Sequence, residues 1–509
     1  MEKIQRRIFF WTLVAAFFVI TPAVVLTAWG YRLDVHRGIF VRSGSINLKT
    51  NPQDFNLYIN GKLQTSKQLN RVNNSYNITG LLPKSYDIAI SADGFQTWKK
   101  TISVHSGIST EFWNVLLARN NYTQTPYATG DAKKFFISPK NDYVAVATSD
   151  DAGTTVKIMK LNDKTIADTF SLPGWQFISD SRQENIEWSP NGDHISIPVQ
   201  KTTAITPPKS ALERNNTPQT ETTYAYFVAD PATSNTLNLN DFLRKNGLRD
   251  VRWDPKDKNY LFFLNGKSLY RANITDPTDI TTIAENVSSF DLSKTGVYYA
   301  QMPNELVFRT DLDGRSNLTQ ITNEFPEQLG SPNAKLIVFD DMRIAFLNSN
   351  KNLYIFNRGD LNTYFKKLGN DVDGMQFSND GKKLLFWTDN EISVYFARQW
   401  SVQPTRNEDE TQDITRYADP LKNVQWFKDY EHIIFSAGPY LKVIELDARD
   451  HRTSMDLLKT NSPAPFVIYD DSLERMFFTD TQNNASDIYS IVFPEPGGFL
   501  GIFPPPAQQ

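Results

Sequence analysis

The chain has 509 residues, of which 40% are hydrophobic and 13% aromatic, so it can bury a large core divided among two or more domains. Its formal net charge of −4 provides no basic face for nucleic acid, so no nucleic-acid partner is expected. The absence of cysteine excludes disulfide frameworks, thiolate metal sites and cysteine nucleophiles.

The first predicted element is a single membrane-spanning helix over residues 8–31. This stretch carries no charge and exceeds the roughly 20 apolar residues that a helix needs to cross a bilayer. Leu26 lies two positions before Ala28, which makes a poor cleavage site, so an uncleaved signal anchor is favoured over a cleaved signal or a buried soluble helix. We expect residues 1–7 to form a cytoplasmic tail and residues 32–509 to lie outside the cytoplasm at the cell membrane. Basic residues on both sides of the helix nearly balance, but large domains translocate largely regardless of charge.

Residues 43–117 predict a small β-sandwich, because short runs alternate apolar and polar residues between Pro and Gly turns. The pattern of strand, proline, strand, Asn60-Gly61-Lys62 turn and Gly94-Phe95 with Trp98 resembles the PEGA domain of prokaryotic envelope proteins. The motif that names that family reads Pro52-Gln53-Asp54-Phe55 here, so only its proline is kept. The resemblance implies a binding or spacer module.

A hairpin repeats through residues 118–493 and predicts a β-propeller. Its turn position recurs every 38–65 residues, at Ser138, Ser189, Asp254, Ser293, Asp340, Ser378, Phe427 and Asp470. Such a period with about four strands per unit is typical of propeller blades. The residue before each turn is large and apolar: Ile137, Trp188, Trp253, Leu292, Phe339, Phe377, Trp426 and Tyr469. One blade cannot bury that face alone, so the blades are expected to close into a ring.

The two ends of the repeat predict how the ring closes. The last unit ends at 487–493 without a fourth strand, and 121–126 (NYTQTP) resembles a fourth strand without a blade. Pairing them would remove the exposed sheet edges. Eight blades are expected, with seven as the alternative. The repeat resembles the propellers of the Tol-type and WD-like superfamily, which implies the architecture but no particular function. Residues 201–222 are interpreted as a polar loop or disordered insertion, 398–413 as a shorter one, and 494–509 as a flexible tail.

A search for catalytic motifs finds neither a nucleophile elbow, a phosphate-binding loop nor a zinc-protease motif, so no catalytic residue, cofactor or metal is predicted. One set of residues comes from the repeat itself, two positions before the turns on the innermost strands. Five of these eight positions are polar, and we expect their side chains to line the central channel: Glu187, Arg252, Asp291, Gln376 and Gln425. They are interpreted as an ion-pair cluster or, alternatively, a binding site.

The sequence therefore favours an all-β protein with an N-terminal transmembrane helix, a PEGA-like sandwich and a propeller. The leading function is a single-pass membrane protein that binds an envelope protein or polysaccharide. Two alternatives stay open: an envelope carbohydrate-active enzyme, a glycosidase or lyase using the channel acids, and a scaffold subunit of an envelope assembly.

Overall fold

A computed structural model describes residues 3–35, 37–65, 68–70, 75–128, 132–178, 186–205, 219–325, 334–360, 362–482 and 485–496. The predicted flexible tail lies outside these residues, apart from 494–496. The predicted fold class is confirmed: one apolar helix is followed by β-sheets.

The chain begins with helix α1 (Lys3–Ala28), which is offset from the predicted span 8–31. The stretch Ile4–Ala28 is long and apolar enough to cross a bilayer by length and composition, and its most apolar 18-residue segment is not buried against the rest of the chain. The helix ends before Tyr31, because Tyr31 already pairs with Arg42 in a hairpin of β1 (Tyr31–Asp34) and β2 (Ile39–Arg42). This hairpin was not predicted from the sequence.

Residues 44–116 fold into two four-stranded sheets. Their strands are β3 (Gly44–Asn51), β4 (Asn56–Ile59), β5 (Lys62–Leu63), β6 (Gln68–Asn70), β7 (Ser75–Leu81), β8 (Ser85–Ser91), β9 (Trp98–Ser103) and β10 (Ser109–Leu116). One sheet has the order β10-β3-β7-β6 and the other β5-β4-β8-β9. Alternate residues such as Ile46, Leu57 and Ile88 share one buried core, so the sheets form a sandwich.

The remaining strands form a series of consecutive sheets. They are β11 (Thr125–Ala128), β12 (Lys134–Ile137), β13 (Tyr143–Asp150), β14 (Gly153–Lys160), β15 (Ile166–Pro173), β16 (Gln176–Phe177), β17 (Glu187–Trp188), β18 (Ile195–Ile205), β19 (Gln219–Asp230), β20 (Asn235–Asn238), β21 (Leu248–Trp253), β22 (Tyr260–Asn265), β23 (Ser268–Asn273), β24 (Ile280–Ala284), β25 (Val287–Leu292), β26 (Val297–Gln301), β27 (Leu306–Thr310), β28 (Thr319–Gln320), β29 (Lys335–Asp340), β30 (Arg343–Leu347), β31 (Leu353–Gly359), β32 (Asn362–Gly369), β33 (Gly374–Phe377), β34 (Lys383–Trp387), β35 (Glu391–Phe396), β36 (Thr411–Arg416), β37 (Leu421–Trp426), β38 (His432–Ala437), β39 (Tyr440–Glu445), β40 (Ser454–Lys459), β41 (Val467–Asp470), β42 (Arg475–Gln482) and β43 (Ala485–Val492). A short helix, α2 (Leu239–Leu243), follows β20.

Within the described residues these strands make eight sheets, which we number as blades. Blade one is β12–β15, blade two β16–β20, blade three β21–β24, blade four β25–β28, blade five β29–β32, blade six β33–β36 and blade seven β37–β40. Blade eight combines β41, β42 and β43 with β11, in the order β11-β43-β42-β41. The closing strand therefore comes from the start of the repeat, as predicted, although it begins at Thr125 rather than at residue 121.

Buried apolar clusters join each blade to the next. One cluster links blade one to blade two through residues such as Val156 and Ile197, and six more continue in the same way to blade eight. A further cluster joins blade eight to blade one, with Phe477 and Ile488 packed on Phe135 and Val146. The series of interfaces is therefore cyclic, which is the arrangement of a closed β-propeller.

Two segments interpreted as loops contain more structure than expected. β18 and β19 continue as a paired hairpin to Ile205 and from Gln219, so residues 201–205 and 219–222 are strands rather than loop. Residues 201–203 and 220–222 are exposed and mostly threonine or charged, so no apolar alternation marked them as strands. The remaining residues of that insertion lie outside the described part of the chain. In the second segment, Trp400 and Arg406 form a bridge and strand β36 begins at Thr411.

Candidate functional site

Three of the five predicted channel residues come together in an ion cluster. Arg252, at the inner edge of blade three, pairs with Glu187 of blade two at 2.9 Å and with Asp291 of blade four at 3.6 Å. The Arg252 side chain is 46% exposed, so it meets water in the channel. The Glu187 carboxylate raises the pKa of Arg252, and burial raises the pKa of Asp291. Arg252 therefore bridges the two carboxylates, and these three residues form an ion-pair cluster.

Four of the predicted residues also bond to the backbone of the following blade. Glu187 accepts the Trp253 N–H at 3.0 Å, and Asp291 accepts the Val338 N–H at 2.8 Å. Gln376 accepts from Trp426 at 3.3 Å, and Gln425 accepts from Tyr469 at 2.9 Å. These side chains thus satisfy backbone donors at the inner edge of the ring. The contacts describe a link between neighbouring blades, and a binding role for the five residues stays a prediction.

Tryptophans at the repeat position make a second link between blades. The indole Nε1–H of Trp188 donates to the Phe136 carbonyl of blade one, and that of Trp253 donates to Glu187 O. Trp426 donates in the same way to Gln376 O of blade six. A buried indole N–H needs an acceptor, so these tryptophans combine packing area with a directed bond.

A buried ion pair, which was not predicted from the sequence, joins the sandwich to blade seven. The Lys100 side chain, which is 0% exposed, pairs with Glu445 at 2.8 Å. Lys100 also donates to backbone carbonyls of the turn between β39 and β40, at Asp447 and Arg449. The Trp98 indole donates to the same Glu445 carboxylate at 3.1 Å. Lys100 occupies an inward phase of the β9 alternation, between Trp98 and Ile102, and that anomaly was the available signal.

Further contacts extend this boundary between the sandwich and the propeller, which we call the seam, to blades six and eight. Arg449 stacks on the Phe112 ring at 3.8 Å and donates to Glu111 O at 2.7 Å. Gln403, from the turn between β35 and β36, donates to Ser109 O at 2.9 Å. One apolar cluster runs without interruption from the sandwich to blades seven and eight. The sandwich therefore packs on the turns that follow third strands.

A buried histidine lies behind the seam in blade seven. His432 Nδ1 lies 2.8 Å from the Asp429 carboxylate. Burial, the largest single influence, lowers the pKa of His432, but Asp429, Glu445 and Glu431 together raise it above its ordinary value. His432 also lines a small cavity of about 30 Å³ beside Phe112 and Glu445. A cavity of that size has room for about one water molecule.

The opposite face of the propeller holds a cleft with a volume of about 700 Å³. Consecutive antiparallel strands place their turns alternately on two faces, so turns after second strands and connections between blades lie away from the sandwich. We call this the open face. The cleft is formed there by blades five and six and is lined by more acids than bases: Asp371, Asp373, Asp389, Glu391 and Asp413 against Lys351 and Arg416.

Trp387 forms part of the cleft wall. Its ring lies so close to the backbone of Gly374 that a Cβ there would approach it to 2.1 Å, so residue 374 must be glycine for the ring to keep this position. The Asp389 carboxylate accepts from Lys422 at 2.9 Å, and this contact lowers the pKa of Asp389. The cleft thus combines a half-buried aromatic ring with ionised carboxylates.

Comparisons with known proteins add the following. No protein-family model and no curated protein sequence matches the chain, so the PEGA resemblance has no support of that kind. Among solved structures, the C-terminal WD40 domain of Sif2 is similar at 10% identity and a TM-score of 0.45, covering 73% of this chain and 99% of that one. Kluyveromyces lactis Hsv2 is similar at 8% identity and a TM-score of 0.41, covering 66% and 100%. The β-propeller domain of Myceliophteria thermophila Cps50 is similar at 11% identity and a TM-score of 0.39, covering 73% and 99%.

Likenesses this distant carry no functional argument. The sheets and the cyclic series of buried clusters in the described residues establish the architecture on their own. The chain carries a β-propeller behind a β-sandwich and an N-terminal apolar helix.

Proposed function

We propose that this chain is a single-pass membrane protein that holds a propeller outside the cytoplasm and binds an envelope protein on its open face. One observation carries the proposal: the sandwich packs on the turns after third strands in blades six and seven, which leaves the other face uncovered by any described part of the chain. Helix α1 is joined to the sandwich side, so a membrane-held α1 would direct the open face away from the bilayer.

The acid excess of the cleft supports a basic protein segment as the partner. Lysine and arginine side chains of a partner would pair with Asp371 and compete with Lys351 and Lys422 for Asp373 and Asp389. Such complementarity steers association and fixes register. The long hairpin of β18 and β19 also extends from the open face, because it joins the second and third strands of blade two. It would give a partner a second contact.

Envelope carbohydrate is the second candidate ligand, favoured by Trp387. Aromatic rings beside carboxylates and amides suit sugar recognition, since the ring covers the apolar face of a sugar while the polar groups bond its hydroxyls. The glycosidase alternative has no comparable support. Its two channel acids, Glu187 and Asp291, are both paired with Arg252 and both accept a backbone N–H.

The test uses the absence of native cysteine. A photo-crosslinker is attached to the full-length chain in intact cells at Glu391→Cys on the open face or at Lys256→Cys, a comparably exposed residue on the sandwich face. Adducts from position 391 but not from 256 are expected, competed by a basic peptide. Competition by envelope glycan instead would select the second candidate. Adducts from neither position, or equal adducts from both, would contradict open-face binding.

Orientation is tested separately. Protease added to intact cells should degrade residues 118–493 while an epitope on residues 1–7 survives. Degradation only after the membrane is permeabilised would place the propeller in the cytoplasm and overturn this part of the proposal.

A further inference from the structure

The hairpin of β1 and β2 exposes more apolar surface than its position in a folded domain requires. Leu33 is 49% exposed, Val35 81%, Ile39 51% and Phe40 40%. Trp29, between the helix and the hairpin, is 69% exposed. The described part of the chain leaves about half or more of most of these side chains uncovered, and clusters of exposed apolar groups mark interaction surfaces.

The pairing register sorts these residues by face. Leu33 pairs with Phe40, and Arg32 pairs with Val41 on the opposite face. The Arg32 guanidinium lies against Gly80 of the sandwich, where an added Cβ would approach it to 3.1 Å. Arg32 and Val41 are half-buried on the sandwich side, whereas Leu33 and Phe40 are exposed on the other face. At the base of that second face, Arg42 packs against Gly107 of the sandwich.

Direct bonds hold the base of the hairpin to the end of α1. Ser43 donates to Gly30 O through its N–H at 2.8 Å and through its hydroxyl at 2.7 Å. The Arg32 guanidinium reaches Thr27 O, in the last turn of the helix, at 3.4 Å. A cation near a helix C-terminus is favourable, which supports this arrangement. Where α1 leaves the bilayer, the hairpin is therefore already at the membrane surface.

We infer that described residues 29–35 and 37–42 form an interfacial collar that inserts Leu33, Val35 and Phe40 into the boundary between lipid headgroups and acyl chains. This inference rests on the proposed membrane anchoring of α1. The collar carries three arginines and one aspartate, so its excess positive charge suits lipid phosphates. Tryptophan at the end of a spanning helix is a usual anchor at this depth. The partner is thus a phospholipid surface, with anionic lipid preferred.

The experiment reconstitutes the full-length chain into vesicles of phosphatidylcholine with or without phosphatidylglycerol. Single cysteines carrying an environment-sensitive fluorophore are placed at Leu33, Val35 or Phe40, and quenching by lipids with nitroxides at graded depths is measured. Labels on the collar should be quenched most by shallow nitroxides, at about 5–10 Å below the headgroups. Anionic lipid should increase the quenching.

Three control positions separate the possible outcomes. Ile166→Cys, on an equally exposed isoleucine of blade one, should stay unquenched, and Val41→Cys on the sandwich side of the hairpin should be quenched less than Leu33→Cys. Phe18→Cys reports the insertion of α1. If the label at Phe18 is quenched but the labels on the collar are quenched no more than the label at Ile166, the collar is contradicted and the membrane anchor is retained. Absence of quenching at Phe18 would overturn the proposed anchoring and the collar together.

Discussion

Arg252 lies between two carboxylates that come from the blades on either side of it. Glu187 and Asp291 keep a backbone N–H donor as well as the guanidinium, so neither carboxylate depends on Arg252 alone. The exposed fraction of the Arg252 side chain, 46%, decides how strongly the cluster contributes to stability, because water in the channel screens its ion pairs.

Replacing Arg252 by Met should therefore lower the free energy of unfolding by only about 1 kcal/mol. Arg416→Met, which breaks a pair between two highly exposed side chains, should change it by less than about 0.5 kcal/mol. Urea unfolding of both variants measures the two losses. A loss of about 3 kcal/mol or more for Arg252→Met would mean that the cluster is shielded from water.

The buried pair of His432 and Asp429 predicts a dependence of stability on pH. The pKa of His432 is raised above its ordinary value of 6.5 in the folded protein. The charged pair therefore stabilises the fold fully below pH 6.5, and this contribution is lost as pH rises through the raised pKa. The free energy of unfolding of the native chain relative to His432→Asn should accordingly decrease between neutral and alkaline pH, by about 1.4 kcal/mol for each unit of pKa difference. Urea unfolding measures this free energy for both proteins. If the difference between the native chain and His432→Asn stays constant across that pH range, the pairing is contradicted.

At the scale of single elements, the closing strand β11 decides whether the ring is continuous. Ala128 is buried in the cluster that joins blade eight to blade one, whereas Pro126 on the same strand is exposed. Ala128→Asp should destabilise the propeller by about 3 kcal/mol or more, because it places a charge in an apolar interface. Pro126→Asp should cost less than about 0.5 kcal/mol. Equal midpoints of thermal unfolding for the two variants would mean that β11 does not close the ring.

Elements with apolar alternation could be predicted from the sequence, and those without it could not. Trp188, Trp253 and Trp426 recur at one register of the innermost strands, so the blades and their closure were predictable. The extension of β18 to Ile205 begins with exposed Lys201, Thr202 and Thr203, which give no apolar alternation, so these residues were interpreted as a loop. β1 and β2 were overlooked because their arginines were interpreted as charges flanking a spanning helix. The channel cluster followed from the register, but its bonds to neighbouring backbone depend on distances that no pattern supplies.

At the scale of the whole molecule, the seam makes the sandwich and the propeller one unit. Lys100→Met should lower the free energy of unfolding by about 3–5 kcal/mol, since Glu445 loses its cation and backbone carbonyls of blade seven lose their donor. Lys99, its exposed neighbour on β9, provides the matched control, and Lys99→Met should change stability by less than about 0.5 kcal/mol. Differential scanning calorimetry would also resolve whether one transition splits into two. Equal effects of the two substitutions would contradict a structural role for the buried pair.

Closure by β11 also imposes an order on synthesis. Ser486, in the strand that pairs with β11, donates to the Ala132 carbonyl, from which it is separated by 354 positions in the sequence. At a translation rate of roughly 5–20 residues per second, the nascent chain waits on the order of 20–70 s for the partner of β11. Throughout that interval the edge of β11 is unpaired and the apolar face of blade one is uncovered, which is the condition in which chains aggregate. A holdase that binds the nascent chain would therefore be needed most just before the last blade emerges.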